Sequence, residues 1–285
     1  MTLRQLLSEP DILVAPGVSD ALTALIAQQA GARALYLSGA ALAYARFGRP
    51  DIGLVSMSEA ADHIAAIRDR THLPLIVDAD TGFGNALNMQ RTMRTFERAG
   101  ANALQIEDQT LPKRCGHLDG KTLVAATEMT GKIRAAVDAR ASRETLIIAR
   151  TDAIAVEGLE AALDRSEAFL GAGADVLFIE APQTRAQLEA IARRFEGRVP
   201  VMANMVEGGK TPAQDARDLQ ALGFALVIFP GGIVRALART AEAYYETLLA
   251  TGSTEGFRDH MHDFAGLGRI LGTGEMLEKG KSYGD

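Results

Sequence analysis

"PLIVDAD", residues 74–80, opens on a proline, runs through Leu75, Ile76 and Val77, and ends on two aspartates separated by one alanine. A half-solvated strand would alternate apolar and polar residues, and an amphipathic helix would need a longer span. A short, β-branched, continuous apolar run reads instead as a parallel strand buried on both faces. Seven more runs share this character: "DILVAPGV" from Asp11, "ALYLSG" from Ala34, "ALQIED" from Ala103, "LIIART" from Leu146, "VLFIEA" from Val176, "VMANM" from Val201 and "ALVIFP" from Ala225. Between them lie Ala-rich amphipathic stretches such as "SDALTALIAQQAG" (19–31) and "GLEAALDRSEAFLGAGA" (158–174), several opening on Ser or Asp and closing on Gly, as capped helices do. Eight strands alternating with helices predict an α/β fold of the (β/α)8 TIM-barrel type. A doubly wound sheet is the rival, but no Gly-x-Gly-x-x-Gly follows the first strand, and the alternation runs evenly to eight. One barrel domain is expected over residues 1–250. Residues 251–285 are expected to form a helical extension, either capping the same barrel or reaching a neighbouring subunit.

Bulk properties agree with this reading. Among 285 residues, 47% are hydrophobic, Trp is absent, and the net charge is -6, so a large core is available. The basic residues are dispersed, which favours neither a nucleic acid nor an anionic membrane as partner. No apolar run approaches the roughly 20 residues needed to cross a bilayer. The single cysteine forms no internal disulfide, so the expected compartment is the cytoplasm.

In a barrel of this kind, chemistry sits where the strands end. The ends here are Ser38 and Gly39, Asp78 and Asp80, Glu107 and Asp108, Arg150, Glu180 and Asn204. Positions i and i+2 of a strand point the same way, so Asp78 and Asp80 are expected side by side, with Glu107 on the next strand. Crowded carboxylates repel unless protons or a cation intervene. An oxygen-only donor set suits a hard divalent ion, Mg2+ or alternatively Mn2+. Asp51, in the "RPDIG" loop, is read either as a fourth outer ligand or as a turn residue. Arg150 offers a planar fork for a carboxylate, with Asn204 and Ser38 as neutral donors. The set describes a site for a small polyanion, first a di- or tricarboxylate and second a phosphate. "EGGKT" (207–211) fails as a phosphate-binding P-loop, because Asn204 stands where the motif's first glycine belongs.

"LPKRCGHLDGK", residues 111–121, carries the lone Cys115 with Lys113, Arg114 and His117 in a stretch too rich in Gly and Pro for a helix. The three basic neighbours would favour the thiolate, and such a thiol can protonate a carbanion. The alternative is an incidental cysteine in a basic surface loop.

"YLSGAA", "VDADTGFGN", "QIEDQTLPKRCGH", "IIARTDA", "FIEAP" and "NMVEGGKTP" together resemble the isocitrate lyase and phosphoenolpyruvate mutase superfamily, from about Pro16 to the end, with "KRCGH" the most specific piece. The resemblance implies a (β/α)8 barrel, Mg2+, a mobile gating loop, and a homotetramer whose C-terminal helices swap between subunits. Within it, a cysteine in this loop marks the carbon–carbon lyases. Asp80 matches the direct metal ligand, and Asp78, Glu107 and Asp51 match ligands that act through water. Ser38, Gly39, Arg150 and Asn204 match positions holding the substrate's oxo-acid end, with Glu180 nearby. Cys115 matches the general acid and Tyr36 a catalytic tyrosine, while Arg114, Gly116 and His117 shape and charge the loop. Ala40 and Ala41 replace the "SGGG" glycines usual in methylisocitrate lyases, and Val206 replaces their threonine. "NMVEGGKTP" looks more like the 2,3-dimethylmalate lyases and the petal death protein.

The implied reaction is retro-aldol cleavage of a 2-hydroxy dicarboxylate or tricarboxylate, either a 2-alkylmalate such as 2,3-dimethylmalate or methylisocitrate, to pyruvate or glyoxylate plus a carboxylate. Tyr36, Glu107 and Lys113 are all candidates for the base. Rival readings are an oxaloacetate decarboxylase or hydrolase, a phosphonate-type enzyme like phosphoenolpyruvate mutase, and a non-catalytic metal-binding barrel.

Overall fold

A computed structural model of the chain describes every residue except His117, Asp119, Ala213, Gln214 and Asp285. Eight strands form a closed, wholly parallel barrel in chain order: β1 (Leu13–Val18), β2 (Leu35–Leu37), β3 (Leu75–Asp78), β4 (Ala103–Glu107), β5 (Leu146–Thr151), β6 (Val176–Ile179), β7 (Val201–Asn204) and β8 (Leu226–Phe229). β1 closes on β8 in register, Leu13 opposite Leu226 and Pro16 opposite Phe229. Every apolar run read from the sequence is a strand.

Pleating makes alternate residues face opposite sides. One set, including Leu13, Ala15, Tyr36, Ile76, Ile148, Phe178, Met202 and Ile228, packs inside the barrel together with Leu3, Leu6 and Leu7 of the N-terminal helix Leu3–Leu7. The other set, such as Leu35, Val77, Leu104, Ile147, Leu177 and Val227, packs outward against the helices. This second apolar face is why the strands do not alternate in hydropathy. Helix starts are capped by Ser and Asp side chains: Asp20 accepts from Thr23 N at 2.7 Å, and Ser56 accepts from Glu59 N at 3.3 Å. Among the described residues, no helix is long and apolar enough to cross a membrane.

After the barrel come the helices Gly232–Thr251, Phe264–Leu271 and Thr273–Lys281. The last two lie back over the same chain, where Gln29 donates to the Ile270 carbonyl at 2.9 Å and Arg70 to the Leu271 carbonyl at 2.8 Å.

Candidate active site

The inward parity of the strands fixes which terminal residues converge. Ser38, Asp78, Glu107, Arg150, Glu180 and Asn204 each lie two residues beyond an inward-facing residue of their strand: Tyr36, Ile76, Gln105, Ile148, Phe178 and Met202. Their side chains therefore rise from the floor of the mouth. A pocket of roughly 560 Å³, its outer part open to solvent, is lined by Tyr36, Ser38, Asp51, Asp78, Cys115, Gly116, Arg150, Glu180 and Asn204. Nine of the residues singled out from the sequence thus line one pocket. Glu107 lies buried beneath it against Arg150, and Gly39 packs at its edge. Arg114 is exposed on the loop above, and His117 lies outside the described residues.

The expected Asp78–Asp80 geometry needs correction. β3 ends at Asp78, and Asp80 has a left-handed backbone with φ 48°, so the i, i+2 rule of a strand does not carry to it. Asp80 N donates to Asp78 Oδ1 at 3.1 Å, and the Asp80 carbonyl accepts from Glu107 N at 2.9 Å. Asp78 therefore faces the main pocket, while Asp80 faces an adjoining cavity with Thr81 and Leu111. The two carboxyls still meet at Gly39. A Cβ there would stand 3.1 Å from Asp78 Oδ2 and 3.3 Å from Asp80 Oδ1, and the Gly39 N–H donates to Asp78 Oδ2 at 3.3 Å.

Lys113 takes a place the sequence did not suggest: its ammonium is buried between Asp51, to which it donates, and Asp80, 2.7 Å away. Carboxylates so crowded attract the nearest cation, and the loop supplies one. Burial would lower the proton affinity of Lys113, but Asp80, Glu107, Asp51 and Asp78 together raise it well above the usual lysine range. Burial pushes the Asp80 carboxyl up to about 6 despite the opposing pull of Lys113.

Arg150 is clamped by three carboxyls. Its Nε and Nη2 donate to Asp152 at 2.9 and 3.0 Å, and its Nη1 lies 3.2 Å from Glu107. Nη2 also lies 3.5 Å from Glu180, and the guanidinium stacks 5.3 Å from the centre of the Phe178 ring. Burial would raise Asp152, but Arg150 and Lys121 outweigh it and hold that carboxyl at about 2. Glu107 goes the other way, burial lifting it well above the ordinary carboxylate range with only partial relief from Arg150. Among the described residues, Glu107 Oε1 and Asn204 Oδ1 are buried with no hydrogen-bond partner. Tyr36 donates to Gln105 Oε1 at 2.6 Å, and burial together with Asp78 raises its phenol well above 10.

The cysteine loop is closed over this floor. Its base is pinched where Thr110 N meets the Thr122 carbonyl at 2.8 Å, and Gln109 ties both its amide ends to the Arg114 backbone at 2.8 and 2.9 Å. Lys121 is buried, bonding Asp152 at 2.8 Å and the Gly116 carbonyl. Gly116 sits so close that a Cβ would stand 2.6 Å from Arg150 Nη2 and 2.7 Å from Glu180. Gln105, Lys121 and Asp152 were missed from the sequence. Gln105 had a signal, being polar at an inward position of an apolar strand, whereas Lys121 had none beyond its loop.

A closed barrel with charged groups gathered on its C-terminal face, under a loop that carries a thiol, defines the class: a (β/α)8-barrel enzyme. The chain belongs to the phosphoenolpyruvate mutase/isocitrate lyase superfamily, and the family model described as phosphoenolpyruvate phosphomutase matches residues 3–249. It is 39% identical to a 2,3-dimethylmalate lyase of Eubacterium barkeri, covering 99% of this chain and 96% of that one. It is 46% identical to a 2-methylisocitrate lyase of Bacillus subtilis, covering 90% and 84%. The crystal structure of a 2,3-dimethylmalate lyase superposes with a TM-score of 0.92 at 35% identity, over 99% of this chain and 93% of that chain. A solved phosphonopyruvate hydrolase of the same fold, 31% identical with a TM-score of 0.87 over 98% of each chain, is a complex with oxalate and Mg2+.

The mouth also fits a divalent cation on its own chemistry. Among the described residues, Asp51, Asp80, Glu107, Asp152 and Glu180 pair with Lys113, Lys121 and Arg150, and Asp78 lies beside them. An anionic substrate entering that excess of carboxyls would be repelled without further positive charge. Among the described residues, no three His, Cys, Asp or Glu side chains are grouped to hold an ion among them. Mg2+ takes oxygen donors of the kind gathered here, usually one or two direct carboxylates with several waters.

Proposed function

We propose that the protein is a carbon–carbon lyase that cleaves a 2-hydroxy dicarboxylate by a retro-aldol reaction, 2,3-dimethylmalate being the model substrate. The observation that carries the reading is the single pocket shared by Arg150 and Asn204 on the strand ends and Cys115 on the loop. Mg2+ held at Asp80, with Asp78, Glu107 and Asp51 around it through water, would supply electrostatic stabilisation of the oxo-acid half. Ser38, Asn204 and Arg150 bind that half. Glu107, whose Oε1 is buried and unpartnered and whose proton affinity burial raises, is the favoured acceptor for the hydroxyl proton. Tyr36 and Lys113 keep their own protons at neutral pH, Tyr36 donating to Gln105 and Lys113 to Asp51 and Asp80, and so do not serve as the base. The hydroxyl oxygen's electrons form the new carbonyl, and the C2–C3 bond breaks with its pair moving to C3. The Cys115 thiol then gives its proton to C3, so that 2,3-dimethylmalate leaves as pyruvate and propionate. Cys115 is recharged from solvent when the loop opens.

The chain also carries the marks of a homo-oligomer, which we place at four copies with exchanged C-terminal helices over residues 251–285. Phe264 is 96% exposed and Leu249 82% exposed, apolar side chains that a neighbouring copy would cover.

Incubation with 2,3-dimethylmalate, 2-methylisocitrate and oxaloacetate, with added Mg2+ and again with a chelator, tests the reading. Pyruvate release that the chelator abolishes is expected. Oxalate or CO2 from oxaloacetate, with no pyruvate from the two hydroxy acids, would replace the lyase by a hydrolase or decarboxylase.

A further inference from the structure

Resting on the lyase reading, we infer that Tyr44 is a specificity residue: its ring forms the pocket wall that accepts an alkyl branch of the substrate and excludes an additional carboxylate. Ala40 and Tyr44 stand four residues apart on the helix Gly39–Phe47, hence on one face, and both line the pocket. A helical side chain leans back toward the N-terminus of its helix, so Tyr44 leans over the small Ala40 and toward the mouth. Burial and the neighbouring Cys115 and Asp51 push its phenol up from the ordinary value, while Arg235 pulls it back, so the ring sits between the thiol loop and the start of the helix Gly232–Thr251.

What surrounds Tyr44 decides which chemistry this side tolerates. Val206, Ile228 and Pro230 line the same pocket and offer no charge. Two cations act on Tyr44, Lys113 and Arg235, and both are engaged: Lys113 with Asp51 and Asp80, and Arg235 donating to the Glu207 carbonyl at 2.6 Å and to its carboxylate at 3.3 Å. A carboxylate brought here would lose water without gaining an uncompensated cation, which is costly. A methyl group would gain contact with the ring and the aliphatic wall. The polar donors that read carboxylate, Arg150, Asn204 and Ser38, all sit at the other end.

The test is the ratio of kcat/KM for 2,3-dimethylmalate to that for 2-methylisocitrate, measured with Mg2+ on wild type, Tyr44→Ala and Tyr44→Phe. Wild type should favour the dicarboxylate. Tyr44→Ala should move the ratio toward the tricarboxylate by about tenfold or more, the scale of a lost hydrophobic contact. Tyr44→Phe should stay within about twofold of wild type, because ring area rather than the hydroxyl is what counts. An unchanged ratio in Tyr44→Ala, or a Tyr44→Phe that moves as far as Tyr44→Ala, overturns the inference. A wild type that cleaves neither compound sinks the lyase reading alone. The rise in melting temperature given by each compound with Mg2+ then decides the inference: a narrowed or reversed order in Tyr44→Ala supports it, and an unchanged order, or no rise with either compound, overturns it.

Discussion

Lys113 shows how one side chain ties the loop to the floor. An ammonium buried between Asp51 and Asp80 neutralises part of the charge that a divalent cation would otherwise meet. Removing it leaves two carboxyls with less compensation, a loss that in buried pairs usually costs several kcal/mol. Lys113→Met should therefore lose about 3 kcal/mol of stability in chelator, read from urea unfolding, and regain part of it in millimolar Mg2+. Equal stability in chelator would show that the ion pair does not hold the loop down. Cys115 makes a different demand: Cys115→Ser should bind substrate normally and turn over about 10²–10⁴ times more slowly, with kcat falling and KM steady. Near-normal turnover would remove the thiol from the reaction. The strand-end residues were legible because period-two alternation and the switch from apolar to polar fix both their depth and their side of the sheet. Lys113 was not, because a cation beside a cysteine reads as its activator. Only the folded loop reveals that the carboxyls compete for it. Asp80 was legible as a ligand candidate but not in its direction, since the left-handed turn at that residue leaves the apolar pattern of β3 unchanged.

Loop and strand meet at Gly116 and Asp152. Gly116 has no room for a side chain between Arg150 and Glu180, so Gly116→Ala must lift the loop, and Cys115 with it, away from the floor. A displacement near 1 Å is enough to cost about 10²-fold in kcat/KM. Gly116 is buried and its carbonyl accepts from Lys121, so the melting temperature should fall as well, and the activity loss should persist well below it. A Gly116→Ala enzyme with wild-type turnover would mean that the loop does not work in its closed form. Asp152, just beyond β5, joins Arg150 to Lys121 and so joins the strand to the loop's far end. Its carboxyl is held near 2 in the fold, below the ordinary aspartate value, so the stability it contributes is complete above pH 4 and disappears as pH falls from about 4 to 2. Between pH 5 and pH 2.5, wild type should lose about 2 kcal/mol more than Asp152→Asn, measured by denaturant unfolding. Parallel acid profiles would contradict the assignment. The eight strands could be read from sequence because burial on both faces forces continuous apolar runs. The closed path of the loop could not, because Lys121 and Asp152 are brought together by the barrel's curvature and by nothing in their spacing.

On the scale of the whole molecule, the barrel's own core is complete, while the C-terminal helices are not covered. The helix Gly232–Thr251 contains no buried residue, and Phe264, Leu249, Leu277 and Tyr283 all stand exposed. Apolar side chains presented together on successive helices lower their free energy by meeting another surface, and a second copy of the same helices offers one of matching character and symmetry. The tail is tied to its own barrel by Gln29 and Arg70, which donate to its backbone carbonyls, while Phe264, Leu277 and Tyr283 stay exposed. Light scattering on a sizing column should therefore give the mass of four chains at micromolar concentration. Phe264→Asp combined with Leu249→Asp should lower that mass, while the circular dichroism of the barrel stays unchanged, because neither side chain contributes to the core. Lyase activity measured on the smaller species then separates two roles for the tail. If it persists at the wild-type level, the site is complete within one chain, as Arg150, Cys115 and the four acidic ligand candidates all coming from residues 1–250 would have it. If the double variant keeps the wild-type mass, these helices are not the contact between copies.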